Sequence, residues 1–240
     1  MTPSTCVLIS TFNRSPLLSR SLRRIAELSR PDEVLVIDDG GSDGCEGVCE
    51  AVRADTGLNV RYLYHHNPVD SMAAWARNVG LRNTDCELVI SSEPEMYWQT
   101  DILAQFLAVH AERPDDMLNV GTVHHEHPDW NPPQVTTTEN WQATWTAMYR
   151  RDWMLAIGGY DQQFPSPWGF DDVDMGTRLM ASGHGQYNVM ECEVLHLWHP
   201  HRGCDLGPNE RYFLSKMSGD NCMEIVANQG VEWGVRIPRG

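Results

Sequence analysis

The sequence predicts an α/β protein of one domain, with a mixed, mainly parallel sheet flanked by helices. Short apolar runs alternate with helical patterns through the first half of the chain, and this alternation is typical of parallel sheets. The run Val34–Ile37 is apolar at every position, as is usual for strands that are covered on both faces. The 240 residues show no repeat, low-complexity tract or linker, so we expect one domain with a substantial core.

The elements of the first half follow from apolar runs and from the residues that end them. Strands are predicted at 6–10, 34–37, 59–64 and 87–91. The first helix begins at Pro16, which suits the first turn of a helix, and Pro31 ends it. Further helices are predicted at 45–54, 71–81 and 101–112.

The second half is less regular. Strands are predicted at 117–122, 147–149 and 186–197, and helices at 151–157, 172–181 and 209–217. Glycines close two of these helices, as they commonly do. The polar segment 124–138 contains three prolines, and we interpret it as a loop.

Charge and composition limit the classes of function. The formal net charge of −15 repels nucleic-acid backbones and anionic membranes, and it favours a bound divalent cation. The chain has no apolar run of about 18 residues, so no transmembrane helix is expected, and its N-terminus lacks the pattern of a signal peptide. Seven cysteines without a CxxC pair predict a reduced, cytoplasmic protein. We interpret Cys45 and Cys49 as buried thiols, with a metal clip as the alternative.

Two aspartates follow a buried strand at the place where α/β sheets bind ligands. Asp38 and Asp39 come directly after the run Val34–Ile37, and such carboxylates can accept from a uracil N–H or from ribose hydroxyls. Gly40 and Gly41 then allow the backbone to approach a ligand closely. An ordinary Asp-Gly turn without a ligand explains the same residues equally well.

A second acidic turn, Glu93-Pro94-Glu95, follows the strand at 87–91. Two carboxylates at this spacing can face one Mg²⁺ or Mn²⁺ ion, which then bridges them to a substrate phosphate. His196 and His199 close a later strand, and a neutral imidazole can complete a metal site. The alternatives are a solvated turn and ordinary surface histidines.

The densest acidic feature is formed by Asp171, Asp172 and Asp174, just after Trp168 and Gly169. Carboxylates this close repel one another, so their presence indicates a cation, a proton or a hydroxyl donor nearby. The helix dipole explains one or two of them as residues of a helix N-terminus. A tryptophan can stack on a sugar ring, and a carboxylate beside that ring can act as general base on an acceptor hydroxyl.

Two further signals are weaker. Arg77, in the predicted helix at 71–81, can hold a diphosphate through paired hydrogen bonds, but a solvated helix face is the simpler interpretation of this residue alone. Three histidines in the predicted loop lack cysteine partners and give little support for zinc: His124, His125 and His127.

Taken in order, these motifs resemble family 2-like glycosyltransferases with the GT-A fold, a Rossmann-like fold, and especially the branch of chondroitin-polymerising and β4-galactosyltransferase enzymes. The resemblance covers residues 4–202. It implies a nucleotide-binding half at 1–100, an acceptor and catalytic half at 101–202, and a C-terminal extension at 203–240. It also implies a nucleotide-sugar donor, for which a UDP-sugar is expected, an acceptor hydroxyl on a glycan, small molecule or polymer, and Mn²⁺ or Mg²⁺.

The resemblance also implies a role for each motif. Segment 7–14 is similar to the strand and loop that contact the nucleotide base, and segment 38–42 to the region that contacts base and ribose. Glu93-Pro94-Glu95 stands in the place of an Asp-x-Asp metal motif, Asp172 matches the general base, and His196 matches a late metal-binding histidine. The implied site residues are Thr11, Asn13, Arg14, Asp38, Asp39, Arg77 and Glu93 for the donor; Trp168 and Gly169 for the acceptor sugar; Asp172 and Asp171 for catalysis; and Glu95, Glu93 and His196 for the metal.

The expected activity is therefore metal-dependent, inverting transfer of one sugar, as in a hexosyltransferase, with Asp172 as base. The chain departs from the family pattern at Glu93-Pro94-Glu95, where each carboxylate has gained a methylene and the proline stiffens the turn. A GT-A-fold protein that binds a sugar nucleotide or glycan without turnover is therefore the alternative. A modified base in DNA is an alternative acceptor, although the negative charge opposes it.

Overall fold

The computed structural model describes residues 2–67, 72–137, 146–200, 203, 205–217 and 224–239. Strands and helices alternate through the first half, as the sequence predicts. The elements of this half are β1 (Thr5–Thr11), α1 (Ser15–Leu28), β2 (Glu33–Asp38), α2 (Cys45–Thr56), β3 (Val60–Tyr64), α3 (Ala73–Asn83), β4 (Leu88–Ser92), β5 (Met96–Trp98) and α4 (Ile102–Glu112). Those that follow are β6 (Asp116–His125), β7 (Gln134–Thr137), β8 (Ala147–Arg150), α5 (Arg151–Ala156), α6 (Asp171–Ala181), β9 (Gly185–His196) and α7 (Gly207–Met217).

The strands form one sheet in the order β3-β2-β1-β4-β8-β6-β9-β5, and β7 pairs with β6 outside this path. Strands β3, β2, β1 and β4 run parallel, as do β6 and β9. Strands β5, β7 and β8 pair antiparallel with their neighbours. The predicted α/β class with a mixed, mainly parallel sheet is confirmed. Because β1, β2 and β4 share one direction, their carboxyl ends meet at one edge, where α/β sheets bind ligands.

Two apolar cores are built from opposite faces of the sheet. Along β1, Val7 and Ile9 belong to one core, whereas Cys6 and Leu8 belong to the other. This alternation explains why the strand is apolar at every position. Helix α3 packs closely on the sheet at Gly80, where an added Cβ would overlap the Leu8 side chain. Within the described ranges, no helix combines the length and the apolar character needed to cross a membrane.

The structure corrects two expectations about local structure. Segment 124–138 is not a loop throughout, because β6 continues to His125 and β7 pairs with it. The residues of β7 are mostly exposed and lack apolar alternation, so only backbone pairing defines this hairpin. Strand β5 is absent from the prediction because its three residues pair with β9, which is distant in sequence. Thr138 of the predicted loop and Ser71 of the predicted helix lie outside the described residues.

The cysteines in the described ranges are free thiols. Burial raises the pKa of Cys45 and of Cys49 to about 12. Both thiols are therefore protonated in the absence of a metal, as the interpretation of the pair as buried thiols expects.

Candidate active site

A cleft of about 1070 Å³ opens at the edge where β1, β2 and β4 end. Thr11 is the last residue of β1, Asp39 follows β2 directly and Glu93 follows β4 directly. The end of β9 contributes His196, and the first turn of α6 contributes Asp172. Most of the predicted site residues line this cleft: Thr11, Arg14, Asp39, Arg77, Glu93, Glu95, Trp168, Gly169, Asp171, Asp172 and His196.

Asp38 and Asn13 are the two predicted site residues that do not line the cleft. Asp38 Oδ1 accepts from the Gly41 backbone N–H at 2.8 Å, and Oδ2 accepts from the Tyr62 hydroxyl at 2.8 Å. Burial raises the pKa of Asp38. Asn13 Oδ1 accepts from the Ser42 backbone N–H at 2.8 Å. Both side chains therefore hold the turn after β2 rather than face the cleft.

Asp39, in contrast, is buried at the cleft wall. Its Oδ2 accepts from the Met72 backbone N–H at 2.5 Å, and its Oδ1 accepts from Asn67 Nδ2 at 3.3 Å. The carboxylate thus joins the end of β2 to the residue before α3.

Arg77 lies between two carboxylates that come from different elements. Its Nη1 donates to Asp171 Oδ2 at 2.5 Å, and its Nη2 donates to Glu93 Oε1 at 2.5 Å. The guanidinium also lies 5.2 Å from the centre of the Tyr160 ring. Both terminal nitrogens of the guanidinium are thus paired with protein carboxylates. These ion pairs fix the turn after β4 relative to the start of α6.

Glu93 and Glu95 have different surroundings, although they share one turn. Burial and the neighbouring Glu95 charge raise the pKa of Glu93 to about 7, and the opposing Arg77 charge limits the rise. The Glu93 carboxylate accepts from Arg77, whereas Glu95 points towards two histidines. The two carboxylates that the sequence assigns to one metal therefore have different partners, Arg77 for Glu93 and the histidines for Glu95.

Glu95, His196 and His199 form the group of possible metal ligands, with their ligand atoms all within 4.8 Å of one another. Strand β5 pairs with β9 so that Met96 lies opposite His196, which brings the adjacent Glu95 to the end of β9. Burial lowers the pKa of His196 to about 4, so the imidazole is neutral and keeps a lone pair for a metal. One carboxylate and two imidazoles are a donor set that suits Mn²⁺ as well as other divalent transition metals.

His199 is the residue that sequence reasoning left out of the metal set. Its Nε2 lies 3.5 Å from Glu95 Oε1, and its Nδ1 lies 3.0 Å from Arg14 Nη2. The available signal was that His199 follows His196, the last residue of β9, by three positions. The position of Glu95 beside both histidines follows from the pairing of β5 with β9, which the sequence does not reveal.

The three aspartates at the start of α6 have three different environments. Asp171 is buried and paired with Arg77. Asp174 is completely buried and lies outside the cleft. Asp172 lines the cleft, and its Oδ1 accepts from the Val173 backbone N–H at 2.9 Å. Only Asp172 of the three combines partial exposure with a position at the cleft wall.

The turn before α6 is held by the C-terminal extension. Asn209, in α7, is completely buried, and its Nδ2 donates to the backbone oxygens of Trp168 at 3.0 Å and Gly169 at 2.9 Å. Gly169 has a φ of +96°, a conformation that favours glycine. Asn209 therefore positions Trp168, a role that the sequence does not indicate.

Asp174 belongs to a buried network of opposite charges. It pairs with Arg178 Nε at 2.7 Å and with Lys216 Nζ at 2.5 Å, and Lys216 also pairs with Asp161 at 2.7 Å. Arg178 is completely buried and donates to the backbone oxygen of Ile157 at 2.9 Å. The third acidic residue of the run is thus explained by packing between α6 and α7.

Asp174→Ala is expected to lower the free energy of unfolding by about 3–5 kcal/mol, because it leaves a buried guanidinium without its carboxylate. Urea denaturation measures this change. Asp152→Ala is the matched control, because Asp152 pairs with Arg150 at an exposed position, where such pairs contribute about 1 kcal/mol or less. Similar losses in the two variants would contradict a stabilising role for the buried network.

The same network predicts a pH dependence of stability. Burial alone would raise the pKa of Asp161, but the hydrogen bond and the charge of the Lys216 ammonium, together with hydrogen bonds from the Gln163 backbone N–H and the Tyr212 hydroxyl, outweigh it, so the pKa is below its usual value. This stabilisation is present above the unfolded-state pKa of about 3.9 and is lost as the pH falls through the folded-state pKa. Below about pH 4, we therefore expect a steeper fall in unfolding free energy for the wild type than for Asp161→Asn. Parallel urea-denaturation profiles over this range would contradict the assignment.

The chain belongs to glycosyl transferase family 2, because the model of that family matches residues 6–173, which is more than half of the chain. Chondroitin synthase of Pasteurella multocida (strain Pm70) is 22% identical over 228 residues, covering 74% of this chain and 23% of that protein. Validoxylamine A glucosyltransferase of Streptomyces hygroscopicus subsp. limoneus is 25% identical over 224 residues, covering 75% of this chain and 49% of that protein. This chain thus spans between about a quarter and a half of the length of these relatives.

Solved structures of similar fold include a mannosyltransferase of Pyrobaculum calidifontis in complex with GDP-Man and Mn²⁺. It has a TM-score of 0.62 and 20% identity, over 85% of this chain and 59% of that chain. The S. aureus protein TarS (residues 1–349), in complex with UDP-GlcNAc, has a TM-score of 0.63 and 17% identity, over 83% and 60% of the two chains. These likenesses confirm the predicted GT-A fold.

Proposed function

We propose that this protein transfers one sugar from a nucleoside-diphosphate donor to an acceptor hydroxyl, with a divalent cation bound in the cleft. One observation carries the proposal: Asp39, Glu95 and Asp172, from three distant parts of the chain, line the same cleft. Family membership supports sugar transfer. The complexes of two structural neighbours, with GDP-Man and Mn²⁺ and with UDP-GlcNAc, support a nucleotide sugar as donor, and UDP-hexoses are the first candidates.

On the donor side, Thr11 and Asp39 would contact the nucleoside at the ends of β1 and β2. Glu95, His196 and His199 would hold the cation, which when bound there would neutralise the charge that builds on the departing diphosphate. Glu93 is engaged by Arg77, so its proposed part is to support this wall of the cleft rather than to bind the metal.

On the acceptor side, Asp172 would accept the proton of the acceptor hydroxyl as that oxygen attacks the anomeric carbon. The new carbon–oxygen bond forms while the bond to the diphosphate breaks, and the diphosphate leaves with the electron pair. Attack from the face opposite the leaving group inverts the configuration. Asp171, which the resemblance pairs with Asp172 in catalysis, is paired with Arg77, so we propose a positioning role for it.

Incubation with a panel of UDP- and GDP-sugars, with Mn²⁺ or Mg²⁺, tests the proposal by release of nucleoside diphosphate. We expect release with at least one donor, and we expect EDTA to stop it. Calorimetry with the same panel distinguishes a transferase from a protein that only binds its ligand. Binding of a sugar nucleotide without release of the diphosphate would identify a binding protein. Neither binding nor release with any donor would overturn the proposal.

A further inference from the structure

We infer that the acceptor is an uncharged, hydroxylated ring of the saccharide type, which stacks on Trp130 and Trp198 in a subsite of the same cleft. As a statement about an acceptor, this inference rests on the proposed function. The subsite itself lies mostly outside the motifs discussed so far, in the β6–β7 hairpin and in the segment after β9. Trp198 also lies beyond the residues that match the family model.

Exposed tryptophans are concentrated in the cleft. Trp130, Trp168 and Trp198 are 40%, 40% and 39% exposed, and all three line it. Within the described ranges, no other tryptophan is exposed to this extent. A cluster of exposed aromatic surface marks a place where a ligand or partner binds.

The rings of the subsite are arranged around one histidine. The His127 ring centre lies 4.7 Å from that of Trp130, in a tilted contact, and 6.2 Å from that of Trp198, edge to face. The Trp130 backbone N–H donates to the His127 oxygen at 3.0 Å, and the Trp198 backbone N–H donates to Glu126 Oε2 at 3.0 Å. Both indoles therefore contact the His127 ring, and hydrogen bonds of their own backbone N–H groups hold them in this segment.

The subsite adjoins the candidate metal ligands. The Glu126 backbone N–H donates to the oxygen of His196 at 3.0 Å, and β6 and β9 pair in parallel up to His125 and His196. A ring stacked on Trp198 would thus lie next to the donor side of the cleft. This is the position that an acceptor needs if one of its hydroxyls is to reach the transferred sugar.

The chemistry of the wall favours a saccharide ring. Indole faces bind the apolar C–H faces of hydroxylated rings, and carboxylates at the rim can accept from the ring hydroxyls. Glu126 and Asp205 both line the cleft and provide such carboxylates. An aromatic wall with a few polar groups is typical of a small-molecule site.

The charge of the cleft argues against an anionic acceptor. Seven carboxylate side chains line it: Asp39, Glu93, Glu95, Glu126, Asp171, Asp172 and Asp205. Among the residues that the structure describes, two arginines stand against these: Arg77 is paired with two carboxylates, and Arg14 contacts His199. Where no bound cation offsets it, a cleft of this sign raises the free energy of a bound anion. Uronate-containing glycans and the phosphate backbone of DNA are therefore disfavoured, although a nucleobase could stack on the same indoles.

Calorimetric binding of methyl β-glycosides to the full chain tests the subsite without any donor. We expect at least one of the glucoside, galactoside and N-acetylglucosaminide to bind. Trp130→Ala and Trp198→Ala should each weaken that binding by about 2- to 10-fold, the usual range for one aromatic contact. Tyr187→Ala is the matched control, because Tyr187 is 39% exposed and lies outside the cleft, and it should bind as the wild type does.

Methyl β-glucuronide is the matched anionic probe, because it differs from the glucoside by one carboxylate, and a short single-stranded oligonucleotide is the second. The inference is overturned if no neutral glycoside binds, if both tryptophan variants bind normally, or if either anionic probe binds as tightly as the neutral ring. Failure of the proposed function has a different signature. Neutral rings would then bind in a tryptophan-dependent way while no sugar nucleotide is bound or turned over.

Discussion

Asp172→Asn is expected to lower kcat by about 10²–10⁴-fold, the range typical of a lost general base. Asparagine has nearly the same shape, and its side-chain oxygen can still accept from the Val173 backbone N–H, as Asp172 Oδ1 does at 2.9 Å. The fold and the donor site should therefore persist. What is lost is the ability to accept the proton of the acceptor hydroxyl, so kcat falls while the Kd for the donor stays nearly constant.

Asp152→Asn is the control for this variant, because Asp152 also lies in the first turn of a helix but is exposed and outside the cleft. Its kcat should match that of the wild type. Donor affinity is measured by calorimetry and turnover by diphosphate release in the presence of acceptor. A kcat within a few-fold of the wild-type value in Asp172→Asn would remove Asp172 from the mechanism.

Glu95→Gln is expected to weaken Mn²⁺ binding by at least about 100-fold. Changing a residue that only supports a metal ligand weakens binding by up to about this factor, and Glu95 is proposed to be a ligand itself. Glu95 is the only carboxylate in the group that it forms with His196 and His199. The amide keeps the size of the side chain but removes its charge, which contributes most to holding a divalent cation. Diphosphate release should fall accordingly and recover in part at high Mn²⁺ concentration.

Mn²⁺ binding is followed by electron paramagnetic resonance, which does not depend on turnover. Glu191→Gln is the control, because Glu191 lies on the same strand as His196 but is exposed, and it should bind Mn²⁺ like the wild type. Treatment of the wild type with EDTA should stop release, and added Mn²⁺ should restore it. Equal Mn²⁺ affinity in Glu95→Gln and the wild type would exclude Glu95 as a ligand.

Local sequence was enough to predict most of the fold. Apolar runs such as Val34–Ile37 identified the parallel strands because a strand that is buried on both faces has no polar alternation. Strand β5 and the hairpin of β6 and β7 were not accessible in this way. Strand β5 is defined by its pairing with β9, which is distant in sequence, and the hairpin by backbone pairing of mostly exposed residues. Neither kind of pairing produces a periodic apolar pattern in the sequence.

The candidate site was predictable in its parts but not in its assignments. The run Asp171, Asp172 and Asp174 looks uniform in sequence, yet one residue pairs with Arg77, one lines the cleft, and one is buried with Arg178 and Lys216. The environment of a carboxylate depends on charges brought from other elements. Those contacts span up to 94 positions of sequence in the case of Arg77 and Asp171.

By itself, the sequence determined the fold class, the order of most strands along the chain and the residue types available at their ends, because these follow from local periodicity and turn chemistry. Only the tertiary structure decided that Glu93 supports Arg77 while Glu95 meets His196 and His199. It also decided that three tryptophans share one cleft. Convergence of this kind depends on strand pairing and on burial, which set distances between groups that no spacing along the chain reveals.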